Sequence, residues 1–155
     1  MKVKTDYFGT VEYEKEDLVT IQNGLFGFAE LKYYLPLYFE PRDDRMVLWQ
    51  SVEDENIAFL TLNPFYLDPD YSPRLKPEEA ADLGVEDTSE LAYSVISVIH
   101  SDYLKNTVNM KCPIVVNPRT RKGMQVILED CSYDYKTALS QFASVCGSAE
   151  RQRQE

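Results

Sequence analysis

Apolar and polar residues alternate along most of this chain with a period of two. The opening carries Val3, Thr5 and Tyr7, then Val11 and Tyr13, then Val19 and Ile21, punctuated by Gly9 and Glu16-Asp17. That pattern predicts two or three short strands. Asn23-Gly24-Leu25-Phe26-Gly27-Phe28 reads as a double-glycine turn, followed by one helical turn over Glu30–Tyr34 and a strand at Leu35–Phe39. Met46–Ser51 and Ile57–Leu62 form a second pair of strands around Glu53-Asp54-Glu55. Leu91–Ile99 is apolar on both faces and reads as a central strand covered on both sides. Ile114–Val116 and Met124–Leu128, separated by Asn117-Pro118…Gly123, give a strand–turn–strand signal.

Helical signals are few. Pro77 at a first helical position, Glu78 and Glu79 in the first turn and Gly84 past the end mark one short helix. Asn63 to Pro73 contains three further prolines and is expected to be irregular, and from Tyr135 the pattern is weakly helical. The expected architecture is all-β: a small closed or partly open barrel of about 8–10 short strands with one or two short helices. No repeat or linker divides the chain, so residues 1–147 are read as one domain and 148–155 as a frayed tail.

Composition narrows the chemistry. Of 155 residues, 44% are hydrophobic and 12% aromatic, which excludes a largely disordered chain. No apolar leader and no run of 18 apolar residues is present, so a soluble, cytoplasmic protein is expected. Three cysteines and one histidine are too few and too scattered for a disulfide framework or a metal site, and no cofactor is expected. Cys112, His100 and Asp102 could compose a nucleophile site only if folding brought them into contact. Cys112 lies beside Pro113 in an apolar strand, where a thiol behaves as a small hydrophobe.

Charge is uneven. Residues 1–100 hold 20 acids and 8 bases, whereas residues 101–155 hold 6 acids and 8 bases. An acidic body repels a phosphate backbone and attracts a basic protein. The paired acids Asp43-Asp44, Glu53-Asp54-Glu55 and Glu129-Asp130 are read as solvated. Trp49 is read as core, since both faces of its strand are bulky.

Binding chemistry concentrates in loops. Asn63, Phe65, Tyr66 and Tyr71 fall in the proline-rich segment, where an irregular stretch does not easily bury three aromatic rings. Phe26 in the double-glycine turn is a possible exposed anchor. Asn117, Arg119 and Arg121 belong to the basic hairpin tip, suited to an acidic partner or an internal latch.

Four landmarks in order, Gly24-Leu25-Phe26-Gly27-Phe28, Leu48-Trp49-Gln50-Ser51, Asn63-Pro64 and Thr107-Val108-Asn109…Pro113-Ile114-Val115-Val116-Asn117…Gly123…Gln125-Val126-Ile127-Leu128, resemble the flagellar assembly factor FliW family. The chain departs from that pattern at Phe26, where the family often has proline, at Cys112, where a smaller residue is usual, and at Trp49. The resemblance implies a compact β-barrel without catalysis. It also implies a regulator that binds the carbon storage regulator CsrA, a basic RNA-binding dimer, relieving its repression of flagellin messenger RNA, and that binds flagellin as a chaperone; alone, the chain is expected to be monomeric. The alternative reading is a β-barrel that binds a small ligand in an apolar interior.

Overall fold

The computed structural model describes residues 1–98, 106–129, 131–139 and 142. Eleven strands lie among these residues: β1 (Lys2–Thr5), β2 (Gly9–Glu12), β3 (Val19–Ile21), β4 (Tyr33–Tyr38), β5 (Met46–Ser51), β6 (Ala58–Leu62), β7 (Ala92–Val98), β8 (Thr107–Val108), β9 (Ile114–Asn117), β10 (Lys122–Gln125) and β11 (Thr137–Ala138). Two short helices, α1 (Pro64–Leu67) and α2 (Pro77–Asp82), sit between β6 and β7. The fold is mainly β, as the alternation predicts.

Seven strands close into a barrel in the order β7-β6-β5-β4-β3-β10-β9, with β9 pairing back onto β7. A closed ring of seven cannot be antiparallel throughout, because the direction must return to itself after an odd number of steps. The single parallel junction is β3 with β10, where Thr20 faces Lys122 and Ile21 faces Gly123. Gly123 permits this closure. A Cβ there would lie 2.7 Å from the Val115 carbonyl oxygen and 2.8 Å from Val116 Cγ2.

Cross-strand partners share a face of a sheet, and the register separates two cores. Val19 pairs with Tyr34, Trp49 with Phe59, and Gly123 with both Ile21 and Val116. Val19, Ile21, Leu25, Tyr34, Val47, Trp49, Ile114 and Val116, with half-buried Phe59 and Ile96 packed against them, make one cluster, which fills the barrel interior. The opposite face of β7 and β9 carries Tyr93, Val95 and Val115, which join a second cluster with Leu67, Tyr71, Leu83, Val126, Leu139 and Phe142. The helical segment and the residues after β10 therefore cover the barrel from outside. On another flank the β1–β2 hairpin leans on the barrel: the rings of Tyr7 and Phe8 meet Phe39, and the Lys4 amide donates to Glu55 at 2.7 Å.

Several local expectations give way to pairing. The helical turn expected over Glu30–Tyr34 is absent, because Tyr33 and Tyr34 begin β4 and bond to β3 and β5. Asn63–Pro73 is not wholly irregular. Asn63 caps one helical turn, its Oδ1 accepting from the Phe65 amide at 3.0 Å, with Pro64 placed where no amide is needed. β7 alternates, with Tyr93, Val95 and Ser97 buried and Ala92 and Val98 exposed, so it is central without being sealed on both faces. Thr137 and Ala138 form a strand against β8 rather than the start of a helix. The expected tail from 148 lies outside the described residues.

One buried group lacks a partner. Tyr34 is fully buried in the barrel, and among the described residues its hydroxyl makes no hydrogen bond. Burial, then the charge of Glu53, pushes its phenol up to about 12. Because the folded value is raised, ionisation costs the fold nothing below the unfolded value near 10, and stability falls as pH climbs from there toward 12. Tyr34→Phe is expected to stabilise the fold by about 1 kcal/mol at neutral pH, since it removes a desolvated, unbonded hydroxyl. It should also soften the alkaline decline. Urea titrations at neutral pH and at pH values above 10 check both; a loss of stability comparable to a core truncation would refute the assignment.

Candidate functional site

At one end of the barrel the wall does not close over the interior. An open cavity of about 420 Å³ lies there, among Pro36 and Tyr38 of β4, Val47 and Trp49 of β5, Ala92–Ser94 of β7 and Val116 of β9. Loop residues complete its rim: Asp44 before β5, Asn63 and Phe65 at the start of α1, and Pro118 and Arg121 from the β9–β10 turn. Its floor is aromatic: Trp49 is only 4% exposed, and its ring lies 6.0 Å from that of Tyr34, tilted by 47°. Three rings around this end are exposed, Tyr38 (51%), Phe65 (39%) and Tyr66 (52%), with Phe65 also packed edge-on against Tyr71 and Tyr93.

The rim is held by short-range polar bonds. Arg45 forks onto Asp43, with Nη2 2.7 Å from Oδ2, and its guanidinium lies 5.8 Å from the centre of the Tyr66 ring. Hydrogen bonds from Arg45 hold the Asp43 carboxyl down at about 2. Asn63 Nδ2 donates to Asp44 at 3.2 Å, so the residue that caps α1 also ties that helix to the loop before β5. Opposite, Arg121 adopts φ +58° and donates to the main-chain carbonyls of Asp17 and Leu18 at 2.7 and 3.2 Å.

Of the residues singled out from sequence, Asn63, Phe65 and Arg121 line one cavity, and Tyr66 follows Phe65 in α1 with the Arg45 guanidinium over its ring. Arg119 is exposed on the neighbouring turn. Phe26 is exposed but stands at the far end of the barrel, where its amide donates to Gln125 at the end of β10. Two expectations are corrected. Tyr71 is 6% exposed and its hydroxyl donates to the Met110 carbonyl at 2.7 Å, so the loop does bury that ring, in the outer core. Asn117 is 3% exposed, donating to the Leu83 carbonyl at 2.8 Å and accepting from the Arg119 amide, so its amide shapes the turn from inside. Tyr38 and Pro118 were not singled out, and Asp44 was read only as a solvated acid; an aromatic residue at a strand end beside a charged loop is the signal that marks Tyr38.

The paired acids lie at the surface, as read, with Asp130 outside the described residues, and several of them also carry bonds. Glu53 Oε1 accepts from the Lys32 and Tyr33 amides at 2.6 and 2.9 Å, Glu55 accepts from Lys4, and Glu129 pairs with Lys76 at 3.0 Å. These carboxylates organise turns and strand ends.

Little in the described residues points to covalent or metal chemistry. His100 and Asp102 lie outside them. Cys112 is fully buried, and burial pushes its thiol up, the opposite of an activated nucleophile. Among the described residues no group of three or more His, Cys, Asp or Glu could hold a metal ion, and no helix is long and apolar enough to cross a membrane. The small-ligand alternative called for an apolar chamber inside the barrel, but Tyr34, Trp49, Phe59 and Ile114 occupy that interior. A second open cavity, about 370 Å³ between Asp68, Tyr71, Arg74, Leu128, Cys131 and Tyr133, lies on the outer layer, where the Tyr133 hydroxyl donates to Asp68.

The chain matches the family model for the FliW protein over residues 2–139. It is 34% identical over 146 residues to the flagellar assembly factor FliW of Clostridium tetani, covering 94% of this chain and 100% of that one. It is 35% identical over 134 residues to the flagellar assembly factor FliW of Syntrophus aciditrophicus, covering 86% and 84%. The crystal structure of a flagellar assembly factor FliW superposes with a TM-score of 0.82 at 30% identity, covering 90% of this chain and 96% of that one. Sequence, barrel and comparisons agree: this chain belongs to the FliW family.

Proposed function

We propose that this chain works in flagellum assembly as a non-catalytic cytoplasmic binding protein, with CsrA and flagellin as its partners and the barrel mouth as a contact surface. The observation that carries the reading is the gathering of exposed Tyr38, Phe65 and Tyr66 around an open cavity. Rings of this kind, held by a rigid scaffold, supply buried contact area at low conformational cost. The barrel beneath is filled and supplies that rigidity. The net charge of −10 favours encounter with a basic dimer such as CsrA, and that attraction weakens with salt.

Calorimetry of the purified protein with CsrA, from low to high salt, tests the first partner. Binding that weakens as salt rises is expected, and absence of binding at low salt would refute it. For flagellin, replacing Phe65 and Tyr66 together by alanine is expected to weaken capture by roughly 30-fold or more, the size of losing an aromatic hot spot. Replacing Glu53 and Glu55 is a poor comparison, since both carry turn hydrogen bonds. Exposed Glu16 and Glu86 serve better, with a change of about threefold or less expected from surface charges. An equal or reversed effect in a pull-down would remove the mouth from the flagellin contact.

A further inference from the structure

The barrel is joined most thinly on either side of β3, which shares two register pairs with β4 and two with β10, and of these two junctions only the one with β10 is parallel. β3 has three residues, and its ladder with β10 comprises two register pairs, against five between β4 and β5 and five between β5 and β6. It joins segments about a hundred residues apart, and parallel pairing is slightly weaker per residue than antiparallel. The backbone contact at its start is the Thr20 amide donating to the Arg121 carbonyl at 2.9 Å. Before Thr20 the ladder ends, leaving the carbonyls of Asp17 and Leu18 without strand partners on β10. The Arg121 side chain reaches back and takes both. It does so from φ +58°, a conformation that side-chain-bearing residues seldom adopt, while its own amide is held by Asn117 at 2.8 Å.

Arg121, Val19 on β3 and Val116 on β9 all line the mouth cavity, on both sides of this junction. We propose that the β3–β10 junction is a gate in the barrel wall and that the Arg121 guanidinium is its clasp. Parting β3 from β10 widens the mouth between Val19 and Val116 while β4, β5 and β6 stay paired. The device belongs to the free protein and does not depend on which partner the mouth receives.

Successive amides of β3 point to opposite neighbours, which makes the gate measurable. Thr20 donates across the junction to Arg121, whereas Ile21 donates to the Lys32 carbonyl beside β4 at 2.7 Å. Residue-resolved hydrogen exchange on the unmodified protein should show Thr20 opening more readily than Ile21 and than the amides of β5. If Thr20 and Ile21 exchange only together with β5, the wall has no gate. Arg121→Ala keeps the unfavourable φ and removes the fork. It is expected to speed Thr20 exchange by about ten- to a hundredfold, as loss of charge-assisted hydrogen bonds implies, with Ile21 changed by less than about twofold. Equal acceleration of both, or of neither, would overturn the clasp. Arg121→Gly removes the fork and relieves the backbone together. Faster Thr20 exchange is expected again, and protection at or above the unmodified level would assign the effect to backbone strain and overturn the proposal.

Discussion

Gly24→Ala is expected to destabilise the protein by about 2–5 kcal/mol, the sum of a left-handed backbone penalty of about 1–2 kcal/mol and an overpacking penalty of about 1–3 kcal/mol. Gly24 sits at φ +67°, and a Cβ there would lie 2.5 Å from both Ala29 Cα and the Phe28 carbonyl oxygen. Those atoms are main chain and cannot swing aside. The turn must move instead, and the turn is part of the barrel: Leu25, 1% exposed, plugs the interior core from the end opposite the mouth. The loop is tied to the barrel by the Phe26 amide on Gln125, whose own side-chain amide donates to the Cys112 carbonyl. Gly27 provides the internal comparison. Its φ is +85° but nothing lies within 4 Å of a Cβ, so Gly27→Ala should cost only the backbone penalty of about 1–2 kcal/mol. Denaturant titrations of both variants check the ordering. A Gly24→Ala variant no less stable than Gly27→Ala would show that the turn can relax away from the clash.

What could be read before folding follows from the range of each interaction. Strands β5 and β6, and the β9–β10 hairpin, declare themselves by alternation and turn residues, because each is settled by neighbours in sequence. The same holds for α2, whose Pro77, Glu79 and Gly84 are local signals. Glu79 indeed caps it, accepting from the Lys76 amide at 2.8 Å. What alternation does not carry is which distant strands meet. The β3–β10 junction joins Thr20 to Lys122, and nothing near either residue announces the other. The two misplaced site residues have the same origin. Asn117 looks like an exposed turn asparagine until the Leu83 carbonyl, at the end of α2, is brought beneath it. Tyr71 looks unburied until Met110 supplies an acceptor. The exposure of the Phe65 and Tyr66 rings was legible because a proline-rich segment after a strand tends to lie at the surface. That they share a rim with Tyr38 and Arg121 depends on barrel closure.

Trp49→Ala is expected to lower stability by about 3–5 kcal/mol, the range for removing a buried aromatic side chain, and to depress the melting temperature by roughly 6–20 °C at about 2–4 °C per kcal/mol for a chain of this size. Trp49 is where stability and the candidate site meet. Its ring packs on Tyr34 inside the barrel and faces Pro36 and Phe59 across the two neighbouring strands, while its outer edge forms the floor of the mouth cavity. Truncation would join an interior void to that cavity, and the rigid strands on either side could not collapse to fill it. Trp49→Phe keeps an aromatic floor and should recover most of the loss. Circular dichroism melts of the two variants decide the point, and a Trp49→Ala melt within a few degrees of the unmodified protein would place the ring outside the core. Because Trp49 is the only tryptophan in the chain, the unmodified protein offers a further reading. Its fluorescence should change when the mouth is occupied by a partner, and should stay unchanged for a ligand that binds at the Phe26 end.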